Sequence, residues 1–570
     1  MKNVKQKIAW LWRNAEKVLI ITFFLTFTLN IRKVFLMPYS FLNGGFNEYM
    51  TMSFSWADLL IVGTIIIYNI KLLISQFKQE KTNSSLLENV IRNKSSVIRN
   101  YYGKNVSRET FYLLVFLGWV GLSIFWSQYR PIAAYRFLTF VEIAIFVIIA
   151  VKSLNQPKWL KLALLAIILN GLFQSLLGIA QFVHNGSLGI RLLGESIIGP
   201  NIDGVAKILI NGEKHIRAYG TLPHPNILAG FLMIPLFIII SEFIQRKLAL
   251  TSSRLSPFQC EPHPNPLLIK ERESVNLPPL NKGRAGVGSD NVPHETFLGF
   301  IPRWTLFAIL FITGLGFLLT FSRSAFLGLF IGFLIFAWQI KKDHCIPSPF
   351  FKGGLRGILK SQYSKNPSPT PPASSCEASR AGFPLRKGES RKHLTLFLYF
   401  IALLIFTLFL IKSTSLFSNQ SLQERNLYQN VSYETFLKHP LAGVGIGQFV
   451  MSEYQNHPNL ESWQYQPVHN IYLFVFSELG IVGLIFFLLW IFSISEWGGG
   501  KNRNTDLLRS LLLTRLSICC IISSFLFIAF FDHYFWDIKL GTTIFALPFV
   551  FIFALVAYSK RYSTDNQSLL

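Results

Sequence analysis

The feature that most limits this chain is a recurrence of apolar runs of about twenty residues between positions 18 and 557. A run of ~20 mostly apolar residues, at a helical rise of 1.5 Å each, matches the hydrocarbon thickness of a bilayer. Inside lipid each backbone N–H and C=O must be satisfied within the protein, which leaves helices or a closed barrel. The two-residue alternation of a membrane barrel is absent. The runs therefore predict helices at 18–37, 58–75, 111–127, 133–151, 160–182, 226–245, 303–321, 324–340, 394–412, 470–492, 509–530 and 536–557. The expected fold is an all-α polytopic membrane protein with about 12 spans, and a large loop with short amphipathic helices before span 10. Composition agrees: only 15% of the 570 residues are charged, against roughly 25% in soluble chains.

The formal net charge is +25, a value that in a soluble chain would suggest a nucleic-acid partner. Here it sits in particular loops. Residues 75–110 carry seven Lys/Arg against three acids, 246–294 seven against four, and 341–392 eleven against three. Loop 413–468 carries Arg425 and Lys438 against four acids. The positive-inside rule then puts the basic loops and both termini in the cytoplasm, with 183–225 and 413–468 outside. No nucleic acid is implied, and membrane lipid is the expected surrounding. Met1–Lys17 leads into the first span without a small-residue cleavage site, so no cleaved signal peptide is expected. Of the five cysteines, Cys260, Cys345 and Cys376 fall in inward loops and Cys519 and Cys520 in a span, which leaves no outside pair for a disulfide.

The expected organisation is an N-terminal part, 1–110, a membrane domain over 111–557, and a cytoplasmic tail, 558–570. Segments 252–294 and 346–391 interrupt the domain. Both are rich in Pro, Gly, Ser and Lys and share a Lys-Gly text, so they are expected to be disordered insertions. His263 lies in the first of them and is set aside, although its His-Pro-Asn copies a motif described next.

Five motifs carry chemistry. Arg217-Ala-Tyr-Gly-Thr-Leu-Pro-His224-Pro-Asn226 ends an outside loop and opens a span. Pro225 suits a first helical position and Asn226 can cap, and a helix N-terminus facing outward favours an anion. Arg217 adds a planar fork suited to phosphate, or is a headgroup anchor. Phe321-Ser-Arg323-Ser-Ala joins two spans with almost no loop, so Arg323 lies at the outer surface, either functional or snorkelling. Arg425 opens a stretch, 426–437, with Tyr428, Val431, Thr435 and Phe436 at spacings that fit a surface-lying helix.

His439-Pro-Leu-Ala-Gly-Val-Gly445-Ile-Gly447-Gln-Phe follows, with glycines that permit close approach to a ligand or form a plain turn. It lacks the Gly-Lys-Ser/Thr of a phosphate loop. Val468-His469-Asn470-Ile-Tyr starts span ten from outside. A neutral His469 can take a proton from a hydroxyl, or simply caps the span. Glu478, nine residues deeper, is expected to orient or pack within the bundle. In Phe531-Asp532-His533-Tyr-Phe-Trp536, Asp532 and His533 form an orienting pair, or Tyr534 and Trp536 belong to the aromatic belt. All five motifs fall on one face in a topology drawn from loop charge alone. Without an Asp-x-Asp or an outside Cys/His cluster, no metal or other cofactor is expected. Arginines that hold a diphosphate, and a histidine that deprotonates a hydroxyl, suit a transfer in which a diphosphate leaves.

In this order and combination the motifs resemble the O-antigen ligase and O-antigen polymerase superfamily of bacterial envelope glycan enzymes, over roughly 110–557. The resemblance rests on Arg217…Gly-Thr-Leu-Pro-His-Pro-Asn226-Ile-Leu-Ala, Phe-Ser-Arg323-Ser-Ala, His-Pro-Leu-Ala-Gly-Val-Gly-Ile-Gly-Gln-Phe449 and His469-Asn-Ile-Tyr. It implies a metal-independent glycosyltransferase of the bacterial inner membrane, active on its outer face in lipopolysaccharide or exopolysaccharide biosynthesis. Such an enzyme moves a glycan from undecaprenyl diphosphate to an acceptor glycan, lipid or protein. By resemblance, Arg217, Arg323 and Arg425 hold the diphosphate and His469 is the base. Asp532 and His533 assist, while His224, Asn226, Gly445, Gly447 and Asn470 contribute to the substrate site. Tyr428 stands where the family pattern leads one to expect Trp, and the two basic insertions are unusual. Two other functions fit an outward cationic face: transport of an anion such as bicarbonate, with Glu478 and Asn170 as midplane groups, and a non-catalytic part in a polysaccharide export machine.

Overall fold

A computed structural model describes residues 2–82, 107–253, 298–342, 419–495 and 506–567. The expected span 394–412 and nearly all of both insertions lie outside these residues. In chain order the helices are α1 (Lys2–Thr26), α2 (Trp56–Thr82), α3 (Arg108–Leu122), α4 (Arg130–Ser153), α5 (Pro157–His184), α6 (Pro225–Ser253) and α7 (Arg303–Leu318). They continue as α8 (Arg323–Lys342), α9 (Asn419–Lys438), α10 (Phe449–Asn456), α11 (Ile471–Ser495), α12 (Asp506–Ile528), α13 (Tyr534–Asp537) and α14 (Lys539–Gln567). Among the described residues seven helices are long and apolar enough to cross a membrane, within α2, α3, α4, α5, α6, α11 and α14. Arg303–Leu318, Arg323–Gln339 and Thr514–Ile528 are shorter apolar helices. The chain is thus a multi-pass helical protein.

Local sequence explains the boundaries. Pro131 and Pro157 stand in the first turns of α4 and α5, where a missing N–H costs nothing. Asn185 ends α5 in the left-handed conformation. Helix α6 is the central post: 89% of its apolar window is buried, and it packs against α5, α7, α8, α12 and α14. At its far end Arg246 pairs with Glu242 and donates to the carbonyls of Ile301 and Leu298, which fastens the returning chain before α7.

The first expected span, 18–37, is corrected. Helix α1 ends at Thr26, and Arg32–Phe35 is a strand, β1, paired antiparallel with β4 (Met52–Ser55). Arg32 and Lys33 are exposed and polar, so the apolar text beyond Leu29 cannot continue as a lipid-facing helix. Between them β2 (Phe41–Leu42) and β3 (Gly45–Phe46) form a tight hairpin, and β5 (Lys207–Ile210) and β6 (Glu213–Ile216) form another in loop 183–225. Both turn on Asn-Gly, with Asn43 and Gly44 at φ 47° and 78° and Asn211 and Gly212 at φ 52° and 87°. Two successive positive φ values make the hairpin turn whose twist matches its strands. The fold is therefore helical with three small ladders, rather than purely all-α.

The N-terminal hairpin region docks across the far end of the chain. Asn43 Nδ2 donates to the carbonyls of Pro458 and Leu460 at 2.7 Å each. Asn47 Nδ2 donates to those of Ser462 and Tyr465 at 3.1 and 3.0 Å. Arg136 of α4 ties the same region to α13, donating Nη2 to the Tyr49 carbonyl at 3.1 Å and Nη1 to that of Asp537. Beside it Lys539 bridges Asp58 at 2.8 Å and Glu142 at 3.1 Å, joining α14 to α2 and α4.

Helix α11 is interrupted at Gly480, whose φ of 67° and ψ of −172° are non-helical. An interruption frees backbone groups that must be satisfied inside the protein. The His-Pro-Leu-Ala-Gly-Val-Gly segment supplies the partners. Val444 and Gly445 N–H donate to the carbonyls of Ser477 and Glu478 at 3.0 and 2.8 Å, and Ile481 and Val482 N–H donate to those of Pro440 and Leu441 at 3.0 and 3.4 Å.

Candidate active site

The site lies where α6, α8 and α11 begin, and where α12 hands over to α13. Arg217, on the strand leaving β6, donates Nε to the Thr320 carbonyl and Nη2 to Asn226 Oδ1, at 2.5 and 2.6 Å. Asn226 Nδ2 donates in turn to Asp532 Oδ2 at 2.7 Å. One amide thus couples a guanidinium to a carboxylate on another element 306 residues away. Ser324 Oγ reaches the same Asp532 oxygen at 3.5 Å, and Asp532 Oδ1 accepts the His533 N–H at 3.1 Å.

Asn226 does not cap α6. Its side chain is spent on the bridge, and His224 is the cap: Nδ1 accepts the Asn226 N–H at 3.1 Å. An accepting Nδ1 fixes the proton of a neutral ring on Nε2. Burial, Arg217 and His533 hold His224 down at about 3, so it is uncharged at neutral pH. Burial lowers Arg217 to about 10, with Tyr219 and Asp532 favouring its charge and Arg323 opposing it. Arg217 thus remains a cation at neutral pH.

His469 sits just ahead of α11, its ring 4.8 Å from that of His533 in an edge-to-face arrangement and stacked on Tyr428 at 6.0 Å. Its Nδ1 is buried and makes no well-formed hydrogen bond among the described residues. Burial, His533, Arg425 and His224 hold His469 well below the ordinary histidine range, against the Pro467 carbonyl. It is a neutral imidazole, the form a proton acceptor requires. His533 differs. Burial disfavours its charge, but Asp537, by charge and by a 2.9 Å hydrogen bond to Nδ1, and Asp532 raise it overall. Burial raises Asp532, opposed by His533, Asn226 and Arg425.

Arg425 lies on α9, whose buried face of Tyr428, Val431, Ser432 and Thr435 packs on α11. The expected helix over 426–437 is thus present, with one face buried against α11. Arg425 stands within electrostatic reach of Arg323, His469, Asp532 and His533. Arg323 is the first residue of α8, following Phe321 at φ 50°. Together with Arg217, these residues from distant motifs meet in one place.

The remaining sequence candidates have protein partners. Asn470 caps α11, its Oδ1 accepting the Leu473 N–H at 3.1 Å. Gly443, Gly445 and Gly447 all have positive φ. A Cβ on Gly445 would sit 2.0 Å from Ser127 Oγ, and one on Gly447 3.0 Å from Arg136 Cγ. These faces meet protein, and the Gly445 amide is taken by Glu478, so the pair shapes the loop. Glu478 is buried and accepts the Trp536 indole at 2.9 Å and the Phe449 amide at 3.3 Å. Trp536 and Tyr534 are interior residues and not an aromatic belt. The orienting carboxylate for His533 is Asp537, one helical turn on. The i,i+4 spacing is its only signal in the sequence, and the expected last span, 536–557, covers it, whereas the helix starts at Lys539.

The chain is a multi-pass helical membrane protein that gathers arginines and histidines from several distant motifs at one end of its bundle. Residues 373–488, about a fifth of the chain, match the family model described as O-antigen ligase. The match takes in Arg425, the glycine segment, His469 and Glu478. It supports the resemblance to the O-antigen ligase and polymerase superfamily and an O-antigen ligase-type function in polysaccharide biosynthesis. No curated protein matches the chain.

Proposed function

We propose that the protein transfers a glycan from an undecaprenyl diphosphate carrier to an acceptor hydroxyl on the outer face of a bacterial inner membrane. The observation that carries this reading is the convergence of Arg217, Asn226, Asp532, His533, His469, Arg323 and Arg425 at one end of the bundle. Among the described residues no group of three or more His, Cys, Asp or Glu is placed to hold a metal ion. In this reading Arg217, Arg323 and Arg425 neutralise the diphosphate and the charge that grows as it leaves. His469, neutral and reachable, takes the proton of the attacking hydroxyl. Asn226 and Asp532 hold the Arg217 fork in place, and Tyr428 fixes the plane of His469.

A lipid-linked donor also needs an apolar path. A cavity of about 400 Å³ runs between α3, α4, α11 and α14, lined by Phe116, Phe140, Val147, Phe487, Trp490 and Phe549. It reaches Trp536, Ile471 and Ala529 beside the site. Transport is less well supported. Asn170 is occupied by Thr28 and the Phe24 carbonyl, and the groups freed at the α11 break are taken by the glycine segment.

The test is His469→Ala in the full chain, with analysis of surface glycan and of lipid-linked intermediates. The variant should insert normally and still bind the lipid-linked glycan, yet lose transfer. Accumulated long lipid-linked chains would mark a ligase and single repeat units a polymerase. Normal transfer by the variant would refute the base assignment.

A further inference from the structure

A transfer to a hydroxyl releases a proton, which must leave the site. As the acceptor oxygen bonds to the anomeric carbon, the carbon–oxygen bond to phosphate breaks and the diphosphate leaves with the electron pair. The hydroxyl proton passes to His469. That ring is a poor place for it to stay, being near His224, His533 and Arg425 and having no carboxylate partner among the described residues. For the next turnover the proton must leave.

His533 is the group best placed to receive it. Its ring centroid lies 4.8 Å from that of His469, edge to face, and its Nδ1 is held by Asp537 Oδ1 at 2.9 Å. Asp537 Oδ2 is buried and has no hydrogen-bond partner among the described residues. Asp537 also lines a polar cavity of about 70 Å³ whose wall includes Arg32, Glu48, Tyr49, Tyr135, Arg136 and Lys539. At ~30 Å³ per molecule such a space has room for water bridging its polar groups. Its outer wall is the Arg32–Glu48 ion pair, whose side chains are 31% and 50% exposed. The cavity therefore spans from a buried carboxylate to a partly exposed ion pair.

We propose that His533, Asp537 and this polar cavity form a proton exit, which takes the acceptor's proton from His469 and delivers it to the surface at Glu48. The inference rests on the glycan-transfer reading and assigns Asp537 as a positioning residue acting through His533. Charged and titratable groups face His533 from every side. Asp532 and Asp537 lie on its own segment, Tyr49 on the hairpin region, His469 ahead of α11, Arg425 on α9 and His224 ahead of α6. Only the two carboxylates favour its proton, and the one hydrogen-bonded to the ring is Asp537. The transfer from His469 to His533 is thus downhill, and it requires His533 to be free to accept.

The experiment uses the full chain in lipid nanodiscs, with lipid-linked glycan extracted from a strain lacking the protein as donor, and rates measured against pH. Asp537→Asn removes a negative charge in contact with His533. The acid limb of the rate profile should then move to lower pH by about one unit or more, the effect expected of a contacting carboxylate. KM for the donor should be unchanged, and Asp537→Glu should restore the limb. A loss of rate equal at all pH values, with the limb unmoved, would show a merely structural role and overturn the exit. A second measurement needs no variant fold: in the wild type, histidine NMR titration should find His533 protonating at higher pH than His469. The reverse order overturns the proposal. A wild type that transfers no glycan at any pH removes the transfer reading and the exit with it, whereas transfer with an unmoved limb overturns the exit alone.

Discussion

Gly480→Ala is the sharpest test of how the broken helix α11 is held. At φ 67° and ψ −172° the residue occupies a region open essentially to glycine. An added Cβ would stand 2.2 Å from the Leu441 carbonyl oxygen, a backbone atom that cannot swing aside. The strain alone costs ~1–3 kcal/mol. Relief requires the segment at Leu441 to lift, losing at least the Ile481 and Val482 hydrogen bonds, at ~0.5–1.5 kcal/mol each. The total, ~2–6 kcal/mol, is a large part of the ~5–15 kcal/mol by which folded domains are stable.

Thermal unfolding of the full-length chain with Cys260, Cys345 and Cys376 replaced by Ser, in detergent and followed by a thiol-reactive dye on Cys519 and Cys520, should show a fall of several degrees in Tm. Gly443→Ala should behave alike, because its Cβ would meet the Glu478 carbonyl carbon at 2.3 Å. The double variant should lose less than the two single losses together, since both lift the same segment. Gly118→Ala, on α3 with nothing within 4 Å of the added atom, should be neutral or slightly stabilising. A Gly480→Ala protein that melts within about one degree of wild type, where ~1 kcal/mol shifts even a large domain by a few degrees, would refute the account.

Three further outcomes follow from the same geometry. Asn226→Ala strips hydrogen bonds from both Arg217 and Asp532, so transfer should fall by ten-fold or more, each lost bond to a charged group being worth ~1.5–3 kcal/mol. Asp532→Ala on top of it should cost little extra in the same transfer assay. Glu453 of α10 is fully buried, and burial pushes it to about 9 against the Gln466 amide. The folded chain therefore keeps a proton that the unfolded chain loses near 4.5, and stability falls as pH rises from there toward 9. Glu453→Gln should raise Tm at pH 8 and do much less at pH 5. Asn47→Ala removes two hydrogen bonds to residues 462 and 465, together ~1–3 kcal/mol, and limited proteolysis should then cut 457–465 faster.

Hydropathy made most helices legible because lipid leaves the backbone so few choices. Pro157, Pro225 and Ile471 open helices close to where the apolar text begins. Loop charge put Arg217, Arg323, Arg425, His469 and Asp532 on one face, and their mutual placement is that of a single cluster. What could not be read was anything decided by contacts distant in sequence. Lys-Val-Phe after Arg32 is apolar enough to extend a span, and only pairing with Met52–Ser55 makes it a strand. The Asn43-Gly44 and Asn211-Gly212 turns did carry a hairpin signal, though nothing in the text says that the first hairpin docks on residues 458–465. The glycine segment looked like a ligand cradle because its partner, a break at Gly480 in an otherwise continuous apolar run, is invisible to hydropathy. Asp537 was missed for a similar reason, being absorbed into a span that begins two residues later.

The docking of Asn43 and Asn47 has a consequence for how the protein is made. The carbonyls that these residues bind, from Pro458 to Tyr465, leave the ribosome some 415 residues after them. At a synthesis rate of ~5–20 residues per second, the hairpin region waits about 20 to 80 seconds before its partner arrives. This end of the bundle closes only once residues 458–465 have followed. Until then the Asn43 and Asn47 side-chain amides lack the carbonyls that they hold in the folded chain.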